Sequence, residues 1–205
     1  MIKLIIFDLG KVIVDFSRVD IAKGLAGFSM LHEYQNPDNI MDYLFNTGYE
    51  IIKQYEEGQI ASLDFFNRIK EIFVLNMSFE QFKCVWSEIF TENDGISELI
   101  ESLKKDFPLF LLSNTNELHF EYIKNRFPVI HKFDEWILSY KIGKMKPDPK
   151  IYKAALSRAR VNPEEVIFID DIEEYVLAAQ EMGIDAVEFK SVEQITKEIK
   201  EMIHE

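Results

Sequence analysis

The sequence predicts an α/β fold: a doubly wound parallel sheet with an all-helical insertion after its first strand. Three observations predict it. Residues 2–7 (IKLIIF), 109–112 (LFLL) and 166–169 (VIFI) are short, nearly continuous apolar runs, the texture of strands buried on both faces. Amphipathic helical patterns stand between the later runs. Residues 15–91 alone break the alternation and read as helices only.

The first run ends in Asp8, followed by Leu9-Gly10-Lys11. In the 15–91 block, Leu63, Phe66, Ile69 and Phe73 form one apolar stripe. Phe79, Phe82, Trp86, Ile89 and Phe90 form another, preceded by a Ser78/Gln81 capping box. Such aromatics pack as core, with one or two left to line a pocket. The spacing of Ile96, Leu99, Ile100 and Leu103 predicts a helix within 94–106. The run at 109–112 leads into Ser113-Asn114-Thr115-Asn116 and a helix from near Glu117. A weaker strand is predicted at 136–139, then a basic loop, Gly143 to Pro149. Asp148 as N-cap and Pro149 as first residue open a helix over 149–158. The run at 166–169 ends in Asp170-Asp171, and a helix over 173–182 stops at Gly183. A weak strand at 185–189 and a helix from Ser191 to Ile203, with a Ser191/Gln194 capping box, complete the chain.

The chain has 205 residues, enough for one domain with an insertion: a core of residues 1–14 and 92–205 and an inserted block of 15–91. Its net charge of −13 argues against nucleic acid or an anionic membrane as the main partner. The single cysteine, Cys84, fits a reducing compartment. There is neither a secretory-signal pattern nor an apolar run of membrane-spanning length, so a soluble, cytoplasmic monomer or homodimer is expected.

Ligands of a parallel α/β sheet bind at the carboxyl ends of its strands. Asp8, Ser113-Asn114, Lys146 and Asp170-Asp171 are all predicted on that edge. Each has a plain structural alternative: a turn acid, a helix cap, a solvated pair. Together they make three carboxylates, a hydroxyl cluster and a lysine. Oxygen-only ligands suit Mg²⁺ bridging to phosphate. The fitting chemistry is phosphoryl transfer to a carboxylate, then hydrolysis of the aspartyl-phosphate.

FDLGKV, LLSNTN, GKMKPDPKIY and FIDDI, in this order, resemble the four motifs of the haloacid dehalogenase (HAD) superfamily, in the branch with a helical cap after the first strand. FDLGKVIVDF with Arg18, together with YEEGQIASLDFF (55–66), is similar to bacterial sugar-phosphate phosphatases of the alpha-D-glucose-1-phosphatase kind. FIDDI is also similar to the phosphatase domain of soluble epoxide hydrolases. The resemblance implies a Rossmann-like core, Mg²⁺ as cofactor and a small phosphorylated metabolite as substrate. It implies Asp8 as nucleophile and metal ligand and the Gly10 carbonyl as a further ligand. Asp171 would ligate directly, and Asp170 directly or through water. Ser113 and the Asn114 backbone N–H would hold phosphoryl oxygens, and Lys146 would pair with the phosphate and Asp8. Arg18 and the turn around Gly58 are candidate cap contacts to substrate. Lys11 either adds positive charge for the phosphate or points to solvent.

Two positions depart from that pattern. Phosphatases of the family usually carry a second Asp, a general acid and base, where this chain has Gly10. That leaves three readings: a phosphatase whose proton comes from elsewhere, a metal-independent 2-haloacid dehalogenase, or a non-catalytic phosphate- or metal-binding protein. Asp170-Asp171 weighs against the dehalogenase. If an acid is lacking, Gly10→Asp should speed hydrolysis of poor leaving groups. The second departure is Tyr175, where several relatives place Asn. The four histidines, His32, His119, His131 and His204, show no metal spacing, and a structural role is expected for His119.

Overall fold

A computed structural model describes residues 1–204, apart from the side chain of His204. The apolar runs form strands β1 (Leu4–Phe7), β4 (Leu109–Ser113) and β6 (Val166–Asp170), every residue of them buried. With β5 (Glu135–Leu138) and β7 (Asp185–Glu188) they make one parallel sheet in the order β5-β4-β1-β6-β7. Strand β1 is central, with Ile5 opposite both Leu109 and Ile167.

Alternate residues of each strand serve opposite faces. Ile5, Phe7, Leu111 and Ile169 meet helices α6 (Ile96–Leu103), α7 (Glu117–Arg126) and α11 (Val192–His204) through Ile100, Phe120, Ile123, Ile195 and Ile199. Leu4, Ile6, Leu112 and Phe168 meet α9 (Pro149–Ala159) and α10 (Glu173–Glu181) through Ile151, Tyr152, Val176 and Ala179. Two helical layers on one parallel sheet explain why the strands carry no polar alternation. A short helix α8 (Ser139–Ile142) follows β5.

Between β1 and α6 lie helices α1 (Arg18–Ala26), α2 (Pro37–Asp42), α3 (Tyr49–Glu56), α4 (Ser62–Phe73) and α5 (Phe79–Ser87). They close around their own aromatic core, in which Tyr55 stacks on Phe65 at 4.3 Å and Phe82 on Trp86 at 5.5 Å. The first and last residues of the 15–91 block are extended instead of helical. They belong to an antiparallel pair, β2 (Val14–Phe16) and β3 (Phe90–Glu92), with Phe16 opposite Phe90. Three-residue strands are too short to show a period. The α4 stripe is also corrected: Leu63 is 52% exposed, and the buried positions are Ser62, Phe65, Phe66, Ile69 and Phe73. Leu63 and Phe65 both fit helical spacing, and Phe65 wins because it alone meets Tyr55, Phe82 and Trp86.

The helical insert stands over the carboxyl edge of the sheet. Its turn after α3 presses on the core: a Cβ at Gly58 would come within 2.1 Å of the Tyr140 carbonyl oxygen, and Gly58 has φ +68°, so only glycine fits. Next to it the buried Glu57 accepts from Lys144 Nζ at 3.5 Å. No helix among the described residues is long and apolar enough to cross a membrane.

Candidate active site

The end of β1 brings Asp8 beside β6, where its N–H donates to the Ile169 carbonyl at 2.8 Å. The β6 end supplies Asp170, fully buried, and Asp171, half-buried. Lys146 arrives from the loop before α9. Its Nζ donates to Asp8 Oδ1 at 2.6 Å and to Asp170 Oδ2 at 2.5 Å. Asp170 Oδ1 accepts from the Ile172 N–H at 2.9 Å, which caps the turn toward α10.

Asp8, Asp170 and Asp171 each offer a carboxylate oxygen, all within 4.8 Å of one another. Three carboxylates against one ammonium leave two net negative charges in a largely buried cluster. Burial pushes the Asp8 carboxyl up to about 7, with Lys146 pulling it down and Asp170 pushing it further up. Burial and Asp170 raise the Asp171 carboxyl as well. Lys146 is held above its ordinary value, because attraction from Asp170 and Asp8 outweighs its burial. An all-oxygen donor set carrying two surplus negative charges fits a hard divalent cation.

Ser113 ends β4 and is 2% exposed. The side chain of Asn114 does something its position in the sequence does not announce. Its Oδ1 accepts from the Lys146 N–H at 2.7 Å and its Nδ2 donates to the Lys146 carbonyl at 2.9 Å. The amide thus clamps the lysine backbone and holds Nζ against the acids. Asn114 Nδ2 also donates to Tyr175 Oη at 3.3 Å, and the Tyr175 ring lies 5.1 Å from Lys146 Nζ. Tyr175, where Asn was expected, covers the lysine. Ser139, read in the sequence only as the end of the strand at 136–139, instead opens α8, donates its Oγ–H to the Thr115 carbonyl and accepts from the Thr115 N–H, both at 2.9 Å. Its only signal in the sequence was a polar residue directly after the WIL run.

A cavity of about 700 Å³ lies between this floor and the insert, with Phe45, Tyr49, Glu56 and Trp86 among its walls. Arg18 lines it, with its guanidinium 4.9 Å from the Phe45 ring centre. Gly58 does not: the turn that carries it packs on Tyr140, and the cavity is reached from there by Glu56, which sequence reasoning missed. Lys11 has φ +61°, and its Nζ pairs with Asp15 and donates to the Phe16 carbonyl at 2.8 Å. Lys11 lines the cavity while its ammonium is engaged by β2.

His119 joins α7 to the insert. Its Nδ1 accepts from Asn116 Nδ2 at 3.0 Å, so Nε2 carries the proton and donates to the Trp86 carbonyl at 2.9 Å. The imidazole stacks on Trp86 at 5.3 Å. The Trp86 Nε1–H is buried with no acceptor among the described residues, a cost of about 1–3 kcal/mol that contacts with Phe65, Phe82 and His119 offset. Burial pushes His119 down to about 4, against a smaller upward pull from the Trp86 carbonyl. The folded state therefore keeps the ring neutral between pH 6.5 and 4 while the unfolded chain takes up a proton. Stability should fall as pH drops through that window, by at most about 3 kcal/mol from this group. His119→Gln should flatten the corresponding part of a pH series of denaturant midpoints. An unchanged slope would assign the loss to other groups.

A family model described as haloacid dehalogenase-like hydrolase matches residues 5–189. The chain is 30% identical over 192 residues to D-ribitol-5-phosphate phosphatase of Bacteroides thetaiotaomicron, covering 90% of each. It is 27% identical to glyceraldehyde 3-phosphate phosphatase of Pyrococcus furiosus, covering 92% of this chain and 81% of that one. Among solved structures, a HAD family enzyme of Bacteroides thetaiotaomicron in complex with magnesium and inorganic phosphate superposes with TM-score 0.79 at 28% identity, over 94% of this chain and 96% of that one.

Proposed function

The chain belongs to the haloacid dehalogenase-like hydrolase family, and from that premise we propose that it hydrolyses small phosphate monoesters, sugar or polyol phosphates foremost, through an aspartyl-phosphate on Asp8. The observation that carries this reading is the buried Asp8–Lys146–Asp170 cluster, with Asp171 beside it, at the floor of the cavity. The named activities of the two phosphatases above, and of a phosphorylated carbohydrates phosphatase of Thermotoga maritima 33% identical over half the chain, support the substrate class.

In this reading Asp8, the Gly10 carbonyl and Asp171 hold Mg²⁺, with Asp170 ligating directly or through water. Bound there, Mg²⁺ supplies charge neutralisation for the phosphoryl group. Lys146 orients one Asp8 oxygen, leaving the other to attack phosphorus. Ser113 and the Asn114 N–H take up charge on the equatorial oxygens. Residues 15–91 act as a cap over a core of 1–14 and 92–205, excluding water and shaping the pocket. Arg18 and Lys11 are the cationic groups at its rim. A metal-independent dehalogenase leaves the second acid of the Asp170-Asp171 pair without work, which favours the phosphatase.

The test is turnover of p-nitrophenyl phosphate and of a panel of pentitol and aldose phosphates, with Mg²⁺ and with EDTA. Phosphate release that EDTA abolishes and Mg²⁺ restores is expected. A folded protein that releases no phosphate from any of them, or that releases halide from 2-haloacids in EDTA, would overturn the reading.

A further inference from the structure

The Gly10 position raises a question about protons. A Cβ there would stand 3.0 Å from Phe16 Cε1, tighter than an ordinary contact. The Phe16 ring is held in turn by Phe90, at 5.7 Å, and by Lys11 Nζ, 4.9 Å from its centre. An acid at this position would need the Phe16 ring, packed between β2 and β3, to give by a few tenths of an ångström. A general acid typically contributes about 10²–10⁴-fold, so the group is worth seeking elsewhere.

Four other carboxylates line the cavity: Asp8, Asp15, Asp171 and Glu56. Asp8 and Asp171 belong to the floor. Asp15 pairs with Lys11 and accepts from the Phe16 N–H at 2.7 Å. Glu56, the last residue of α3, makes no hydrogen bond or ion pair among the described residues, whereas its neighbour Glu57 is engaged by Lys144 and Gln59. Tyr175 lines the same cavity, and its hydroxyl, raised chiefly by burial, feels the charges of Lys146, Asp170 and Glu56.

We propose that Glu56, from the insert, is the proton-transfer residue of this site, in place of the acid that the core lacks at Gly10. This rests on the reading of Asp8 as the phosphoryl acceptor. In the first half, an Asp8 oxygen bonds to phosphorus and the bond from phosphorus to the ester oxygen breaks. The electron pair stays on that oxygen, which takes the Glu56 proton and leaves as the alcohol. In the second half, the Glu56 carboxylate accepts a proton from water as the water oxygen bonds to phosphorus. The bond from phosphorus to Asp8 breaks, and phosphate, the Asp8 carboxylate and protonated Glu56 are regenerated.

The surroundings suit the task. Burial pushes the Glu56 carboxyl up to about 7, with Arg18 opposing it. Arg18 on α1, Tyr49 at the start of α3 and Tyr175 on α10 are the titratable and charged groups that face it. A carboxyl balanced near neutrality can both give and take a proton.

The experiment compares wild type with Glu56→Gln at pH 7 with Mg²⁺, on p-nitrophenyl phosphate and on ribitol 5-phosphate. The nitrophenolate needs no proton to leave, whereas the alkoxide does. The expected result is a loss of about 100-fold or more in kcat/KM for ribitol 5-phosphate, the parameter that reports the phosphorylation half alone. For p-nitrophenyl phosphate kcat/KM should change little, which also shows that the variant folds, while kcat falls where dephosphorylation limits turnover, because both substrates share that step. Equal losses of kcat/KM on both substrates, no loss on either, or a rise in KM with kcat unchanged would overturn the proposal. Wild-type turnover of p-nitrophenyl phosphate tests the phosphatase reading separately, and a wild type inert on it and on the whole panel of pentitol and aldose phosphates overturns both.

Discussion

Asp8→Asn should abolish turnover, by a factor on the order of 10⁴ or more, while leaving the fold intact or tighter. The amide cannot form the acyl-phosphate, so no partial route through this residue survives. The expected effect on stability has the opposite sign. Lys146 holds two carboxylates, each more than nine-tenths buried, with a single ammonium. Removing one of the two charges leaves Lys146 with Asp170 as a balanced pair, still hydrogen-bonded at 2.5 Å. In a chelator-containing buffer the variant should melt at or above the wild-type temperature. A large fall in melting temperature would mean that Asp8 is structural, and unchanged turnover would remove it as the nucleophile.

Lys146→Met should be strongly destabilising. It keeps much of the side chain's bulk and removes the only ammonium between Asp8 and Asp170. Breaking a buried ion pair from one side costs about 3–5 kcal/mol, because the remaining charges stay buried without compensation. Urea unfolding in EDTA should show a loss of that size, and activity should disappear with it. Asp8→Asn added to Lys146→Met should recover part of the stability and none of the activity. If the double variant recovers nothing, the two acids are not what Lys146 stabilises.

Much of this floor was legible in the sequence. Parallel strands buried on both faces read as unbroken apolar runs, and a carboxylate at the end of such a run stands out. The sheet order then gathers Asp8, Ser113 and Asp170 from points more than fifty residues apart. What stayed hidden depends on contacts without a local pattern. Phe16 lies six residues after Gly10, and nothing in that spacing says that the chain reverses and lays the ring over the glycine. Asn114 was read for its backbone, while its side chain clamps Lys146, a partner 32 residues away. Glu56 and Glu57 look alike in sequence. The end of α3 turns one toward the cavity and the other toward Lys144. Leu63 and Phe65 were separable only once the rings of Tyr55 and Trp86 were in place.

The central position of β1 also has a consequence for how the chain is made. Strand β1 leaves the ribosome well before its two neighbours, which begin at Leu109 and Val166. The buried residues of the insert's aromatic core end at Trp86, before either neighbour exists, and only Leu118 and His119 of α7 are added to it later. Segments that contain all their own contacts fold early, and pairing across long separations waits for the chain that supplies it. During synthesis the insert can therefore consolidate while LIIF is still an exposed apolar strand with Asp8 at its end. The charge at that end, with a glycine two residues on, interrupts the apolar stretch when the strand has no partner, which is when a strand is most prone to pair wrongly.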